Sequence, residues 1–331
     1  MLKRDNEPVF TYISGDQVKR QSSFIIASLS KQVTAALVLK AVDEGKLDLT
    51  DSVNLYLSFS PANKTAKSIP DSVTISQLLS NTSGLVSAEQ SPVFEPGSQF
   101  RYSNYGYTLL GKILEKVNQQ PFAAQVNALN EQAGLAGLHA SSGKTSNIKN
   151  AYPSLLLGQT ETLQQQADKR IANYAPSDIE ITPALIPAGG MIASADAYSH
   201  FQYALFSGQL LSPKSLAALT TRYAARPHRW SDVSYGYGTQ LNQYKGITEY
   251  SHSGYLPGYV SLALYYPQSN INLVILENTA WDVSDRERTF ALHDKLRDSI
   301  RHKLVALEDR PVAKLYQAGK DAITATLITA K

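Results

Sequence analysis

Apolar positions along the chain follow two rhythms. Near both ends they form short runs rich in aromatic and β-branched residues. The runs P-V-F-T-Y-I-S at 8–14 and S-S-F-I-I-A at 22–27 predict short strands, separated by the turn-prone Gly15-Asp16. Three more strands are predicted at Thr248 to His252, Gly258 to Tyr266 and Ile271 to Glu277, joined by Pro-Gly and Pro-Gln-Ser-Asn turns as an antiparallel meander. Between the two ends the apolar residues recur at helical spacing. Val33, Leu37, Leu39 and Val42 predict a helix from Leu29 to Glu44, with Gly45 as its C-cap. Thr74 is placed to cap a short helix over I-S-Q-L-L-S, and amphipathic helices are predicted over Tyr105 to Val117 and Ala195 to Phe206. A helical tail from about Asp285 to Ala306 can cover one sheet face. The expected class is α+β, an antiparallel sheet built from both termini and flanked by helices, with an all-helical insertion. The expected partition is a sheet part, 1–28 and 230–331, and a helical part, 29–229, with the binding cleft between them.

Composition narrows the chemistry. The 331 residues are 43% hydrophobic and 18% charged, in the range of an ordinary globular chain. With no cysteine, a thiol nucleophile, a disulfide and a thiolate metal site are all excluded. The formal net charge is only +3 and there is no basic run, so nucleic acid is not the expected partner. The apolar runs fall far short of the ~20 residues of a membrane helix. The basic start Met1-Leu2-Lys3-Arg4 has no apolar stretch behind it, so no signal peptide is visible. Tyrosine is over-used: of nineteen, eight fall between Tyr235 and Tyr266, where they are expected to line the cleft and pack the sheet.

Familiar catalytic signatures are absent: there is no G-x-S-x-G elbow and no H-E-x-x-H. The stretch Gly137 to Thr145 has one residue too many between its glycines for a phosphate loop. Three short patterns do carry chemistry. In Ser28-Leu29-Ser30-Lys31 a helix starting here sets Ser28 and Lys31 one turn apart, so a desolvated amine can take the proton of an otherwise weak nucleophile. The same S-x-x-K spacing recurs at Ser141 to Lys144 and Ser146 to Lys149, in polar sequence. Tyr102-Ser103-Asn104 is the single Y-x-N; in an extended loop its phenol and amide face one site. In His252-Ser253-Gly254, followed by Tyr255, the histidine offers a donor or cation near neutral pH, and the glycine leaves room for a substrate along the strand edge. Taken singly, each has an ordinary structural explanation: a helix cap and a surface lysine, a buried tyrosine, a core histidine.

In this order the three patterns resemble the penicillin-recognising serine hydrolases, a group of class C β-lactamases, D-Ala-D-Ala carboxypeptidases, D-aminopeptidases and esterases. The stretches F-I-I-A-S-L-S-K-Q-V-T-A, I-S-Q-L-L-S-N-T-S-G-L, P-G-S-Q-F-R-Y-S-N-Y-G-Y-T-L-L-G, P-A-G-G-M-I-A-S and S-G-Y-L-P-G-Y extend the likeness over Phe24 to Asn278. The resemblance implies a β-lactamase/transpeptidase-like fold and an acyl-enzyme on Ser28. Lys31 is then the proton acceptor, and Tyr102 the proton shuttle to the leaving group and to the deacylating water. Asn104, His252, Ser253, Gly254 and Tyr255 contact the substrate. The backbone amides of Ser28 and Tyr255 form the oxyanion hole, each donor worth ~3 kcal/mol to the transition state. It implies no metal or organic cofactor, a small-molecule or peptide substrate, and a periplasmic or secreted location, with the cytoplasm as the alternative because no signal peptide is visible. The oligomeric state stays open.

Two departures from the group shape the expectation. Histidine stands where many members have the lysine of K-T-G, which favours a D,D-carboxypeptidase, D-aminopeptidase or esterase with weak or no β-lactamase activity. A true class C-type β-lactamase and a non-catalytic penicillin-recognising sensor are the alternatives. The group also has a leading helix and a further strand ahead of the strand at 8–14. Their absence would uncover a sheet edge or mean a start placed too late.

Overall fold

In the computed structural model, which describes residues 1–57, 69–166, 169–282 and 284–308, the chain opens with a hairpin. Strands β1 (Leu2–Arg4) and β2 (Glu7–Phe10) are joined through Asp5 and Asn6, both at positive φ. The run at 8–14 is thus a strand only over its first part, and a strand that its pattern did not announce precedes it. Next come β3 (Ser23–Ile25), α1 (Ser30–Asp43), α2 (Asn104–Asn118), β4 (Met191–Ser194) and α3 (Ala195–Phe206). The C-terminal part contributes β5 (Ala224–Ala225), β6 (Ser234–Tyr235), β7 (Gln240–Tyr244), β8 (Ile247–Leu256), β9 (Tyr259–Tyr266), β10 (Ile271–Glu277) and the long helix α4 (Arg286–Glu308).

Eight strands form one antiparallel sheet in the order β5-β6-β7-β8-β9-β10-β1-β2. Both termini therefore meet in it, Leu2 opposite Leu273. The α+β class follows, with the meander and its flanking helices where the residue pattern puts them. All eight residues of the central strand β9 are buried, which is why it reads as a continuous apolar run. They alternate in destination. Tyr259, Ala263 and Tyr265 join the large apolar cluster that also holds Val33 and Leu37 of α1, while Leu262, Leu264 and Tyr266 join a smaller cluster with Leu304 of α4.

Two expectations change. The strand in the 22–27 run pairs with β4, in a three-stranded sheet completed by Leu138–Ala140, and not with the terminal sheet. Its residues are buried throughout and need covering on both sides, which the helical part supplies. The insertion also carries a long hairpin, Gly158–Gln166 with Lys169–Ser177. Its glutamine- and threonine-rich sequence lacks the apolar alternation that marks a half-buried strand. Gly158 lies against the Gly258 turn, where a Cβ would come within 2.9 Å of the Gly258 backbone. That contact sets the hairpin beside the end of β8.

Candidate active site

The turn that carries Ser28 is built from consecutive residues of unusual conformation. Ala27 adopts φ +47°, a left-handed geometry that costs a non-glycine residue ~1 kcal/mol or more. The surroundings hold it there. The Ser30 hydroxyl donates to the Ala27 carbonyl at 2.8 Å, the Ser261 hydroxyl to the Ile26 carbonyl at 2.8 Å, and the Ile26 amide to the Met191 carbonyl at 2.9 Å. A single 3-10 turn, Ala27–Leu29, then leads into α1. Between residues 22 and 39, Ser28 is the one residue that is not fully buried. A long buried segment thus surrounds a single accessible hydroxyl.

Lys31 lies one turn further and is completely buried. Its Nζ is 3.4 Å from Ser28 Oγ, 2.8 Å from Asn104 Oδ1 and 2.5 Å from the Ala188 carbonyl oxygen. Three acceptors match the three hydrogens of an ammonium. When the amine is neutral, the two short contacts keep its two N–H bonds and the lone pair faces Ser28. Burial pushes the Lys31 pKa down from its usual value, and the nearby Arg226 charge adds to that effect, while Tyr102 opposes it. The two competing S-x-x-K stretches make no such pair. The Ser146 hydroxyl donates to Asp178 at 2.8 Å and Lys149 donates to the Leu155 carbonyl at 2.6 Å.

Tyr102 and Asn104 reach the same spot from the start of α2. Ser103 caps that helix, its hydroxyl accepting from the Gly106 amide at 3.0 Å, and its own amide donates to Asn81 Oδ1 at 2.9 Å. With Ser103 pinned, the residues on either side point the other way, toward Lys31. Lys31 Nζ lies 4.7 Å from the centre of the Tyr102 ring.

The third motif comes from β8. Pairing of β8 with β7 ends at Ser251, whereas pairing with β9 continues to Leu256, so residues 252–256 have a strand neighbour on one side only. His252 and Gly254 face the Ser28 turn. The space at Gly254 is taken by protein: a Cβ there would come within 2.3 Å of Ser261 Oγ and 2.8 Å of Ala27 Cβ. The glycine thus lets the strand press on the Ser28 turn, which corrects the expectation that it makes room for substrate. By strand alternation Ser253 and Tyr255 point to the opposite sheet face, and the Tyr255 hydroxyl donates to the Trp281 carbonyl at 3.0 Å. What they offer the cleft is backbone.

His252 is likewise not the cation its position suggests. It is fully buried, and burial together with the charges of Arg226 and Lys31 holds its pKa well below the usual imidazole value. Its Nδ1–H donates to the Ser253 carbonyl at 2.8 Å, which leaves Nε2 to accept from the Tyr235 hydroxyl at 3.0 Å. The neutral tautomer satisfies both contacts. Four participants escaped the residue patterns. The Ala188 carbonyl lies inside the P-A-G-G stretch and Asn81 inside S-N-T-S-G, so both were in view without a role. Tyr235 was marked only as one of the tyrosines expected to line the cleft, and Arg226 had no local signal. The Arg226 guanidinium lies 4.8 Å from the centre of the Tyr102 ring and 5.3 Å from that of Tyr235. Among the described residues, no group of three or more His, Asp or Glu is placed to hold a metal ion.

Residues 2–297 match the model of the family described as Beta-lactamase. The chain belongs to the beta-lactamase family. Its relatives include Protein flp of Staphylococcus aureus (strain NCTC 8325 / PS 47), 24% identical over 287 residues, an alignment covering 78% of this chain and 53% of that protein. This chain thus spans little more than half the length of that relative. Among solved structures it is similar to a D-stereospecific amidohydrolase from Streptomyces sp., with TM-score 0.67 and 22% identity, covering 83% of this chain and 87% of the other. It is also similar to the D-amino acid amidase of Ochrobactrum anthropi SV3, with TM-score 0.69 and 18% identity, covering 86% of each. At these identities the structural likeness establishes the β-lactamase/transpeptidase fold.

Proposed function

We propose that the protein is a serine hydrolase that forms an acyl-enzyme on Ser28. Its substrates on this reading are D-amino-acid amides, D-Ala-D-Ala-like peptides or small esters, with weak or no turnover of β-lactams. The observation that carries the reading is the accessible Ser28 hydroxyl beside a fully buried Lys31 amine whose two other contacts are filled by Asn104 and Ala188. In acylation, Ser28 Oγ attacks the substrate carbonyl and its proton passes to neutral Lys31. The bond to the leaving group then breaks as Tyr102 hands a proton to the departing amine or alkoxide. A water enters, gives a proton to the Tyr102 phenolate and attacks the ester; Ser28 leaves as the hydroxyl by taking back the proton held on Lys31, and the acid is released. The amides of Ser28 and Tyr255 receive the developing oxyanion.

The preference among substrates follows from His252. A neutral imidazole tied to Tyr235 and to the Ser253 carbonyl gives no fixed positive charge for a substrate carboxylate at the third motif. The open edge of β8 over 252–256 suits an extended amide or acyl chain. The two similar solved structures, an amidohydrolase and an amidase by their descriptions, agree with that choice.

The test is intact-protein mass spectrometry after incubation with a fluorophosphonate and, separately, with a penicillin, with peptide mapping of the adduct. Label on Ser28, absent in Ser28→Ala, is expected. No adduct with either reagent, or full activity in Ser28→Ala, would falsify the assignment. Release of product from a p-nitrophenyl acyl ester or a D-Ala-D-Ala peptide is expected to exceed nitrocefin turnover. Fast nitrocefin turnover without esterase or peptidase activity overturns the substrate choice.

A further inference from the structure

One cation in the site belongs to none of the three motifs. Arg226 follows directly on the edge strand Ala224–Ala225, and its amide donates to the Val233 carbonyl at 2.8 Å, closing the loop that returns to β6. Its guanidinium rests among the rings of Phe100, Tyr102 and Tyr235, at 6.0, 4.8 and 5.3 Å from their centres. Its Nη1 is buried and has no hydrogen-bond partner. A guanidinium left without a partner against a half-buried phenol is costly unless its charge is used.

The loop is not free to move away. Trp230 Nε1 and Arg229 Nε both donate to Asp294 of α4, at 2.7 and 2.9 Å. The Arg297 guanidinium lies 3.8 Å from the centre of the Trp230 ring and donates through Nε to the buried Glu249 at 2.7 Å. Asn242 of β7 donates to the Ser231 carbonyl at 2.8 Å. The C-terminal helix therefore grips the far end of the loop whose near end carries Arg226.

We propose that Arg226 is a positioning residue that acts through Tyr102 and Lys31, a fixed cation standing in for the one the third motif lacks, and that α4 holds it in place. The proposal rests on the acyl-enzyme reading. Groups facing Tyr102 and Arg226 from the surrounding elements are Lys31 of α1, Tyr107 of α2, Tyr235 of β6, His252 of β8 and His228 of the same loop. His228 stays neutral, its pKa held down to about 2 by burial and by Arg226, Arg229 and Arg297. Tyr235 is held protonated by its burial. Arg226 is thus the fixed cation that faces the Tyr102 ring beside Lys31. Repulsion between these two also favours the neutral amine that Ser28 needs, and Arg226 is among the causes that lower the Lys31 pKa.

The test compares Arg226→Gln and Arg226→Lys with the parent chain on an uncharged p-nitrophenyl ester, reading kcat, KM and the pH profile of kcat. Without the cation the neutral Lys31 amine is disfavoured, so the rising limb moves to higher pH. The expected result for Arg226→Gln is a limb displaced by about one pH unit and a kcat near neutral pH lowered about tenfold, with KM unchanged. Arg226→Lys should bring the limb back at least halfway. Asp294→Asn, which loosens the helix grip, should displace it in the same direction by less. An unmoved limb in Arg226→Gln overturns the proposal, as does a loss confined to KM for carboxylate-bearing substrates, which would mark direct substrate binding. An unaltered profile in Asp294→Asn overturns the role of α4. Fluorophosphonate labelling of Ser28 in the parent separates the two readings. Labelling with an unmoved limb sinks the Arg226 proposal alone, and no labelling sinks both.

Discussion

On the sheet face that meets the Ser28 turn, Tyr259, Ala263, Tyr265 and Val274 merge into the same apolar cluster as α1, and the buried Lys31 has no acid among its contacts, whereas Lys3, at the far edge of that face, pairs with Asp196 at 3.0 Å. On the opposite face a small apolar cluster surrounds buried ions. Glu249, with its side chain wholly inaccessible, accepts from Arg297 Nε at 2.7 Å and from the Tyr266 hydroxyl at 2.9 Å, and Arg301 Nε lies 3.5 Å away. The Ser28 site leaves its buried amine unneutralised, and the cluster on the opposite face neutralises its buried ions. An unpaired buried amine loses its proton readily and can act as a base, whereas paired buried ions hold a helix in register and do no chemistry. The loop from Arg226 to Trp230 joins the two faces.

The sharpest way to break this contrast is Lys31→Met. On the catalytic face it should lower kcat about a thousandfold or more while leaving the melting temperature unchanged or raised, because a desolvated amine is replaced by a side chain that prefers burial. A fall in melting temperature matching the loss of activity would show that Lys31 is structural. On the opposite face Glu249→Gln should behave in reverse. It strands two buried guanidinium groups, so denaturant unfolding should show a loss of about 3–5 kcal/mol, with activity per folded molecule largely kept. A smaller effect is expected from Gly254→Ala, where the added methyl meets Ala27 and Ser261. About 1–3 kcal/mol of stability should be lost, together with kcat, because strain at this contact displaces the Ser28 turn. Full activity in that variant would mean that the turn tolerates movement.

The smallest effect concerns acid stability. His252 has a native pKa well below the ordinary value of 6.5, so under acid conditions the unfolded chain takes up a proton that the folded one refuses. Stability attributable to this residue is complete above about pH 6.5 and falls by up to ~1.4 kcal/mol per pH unit below it. Stability curves for the parent and His252→Asn between pH 5 and 7 should therefore differ in slope, the variant being flatter. Parallel curves would mean that His252 takes up its proton as readily in the folded protein as in the unfolded chain.

Much of the candidate site was legible because its parts are local. Ser28 and Lys31 lie one helical turn apart, and Tyr102 and Asn104 flank a capping serine, so pattern and geometry coincide. The strands 248–252, 258–266 and 271–277 were legible for the same reason: a central strand buried on both faces needs uninterrupted apolar and aromatic residues. The hairpin 158–177 escaped because polar strands carry no apolar period. The partnership of β3 with β4 escaped because a three-residue strand does not encode its partner.

The amino-acid sequence alone determined the pairing of the Ser28 hydroxyl with the Lys31 amine and the class of fold, since each depends on contacts a few residues apart or on apolar periodicity. Only the tertiary structure decided the charge on the histidine, the use of Gly254 and the presence of Arg226. Those depend on what lies within a few ångströms across the fold, where burial sets whether an imidazole keeps its proton and distant chain segments set which cation stands beside Tyr102.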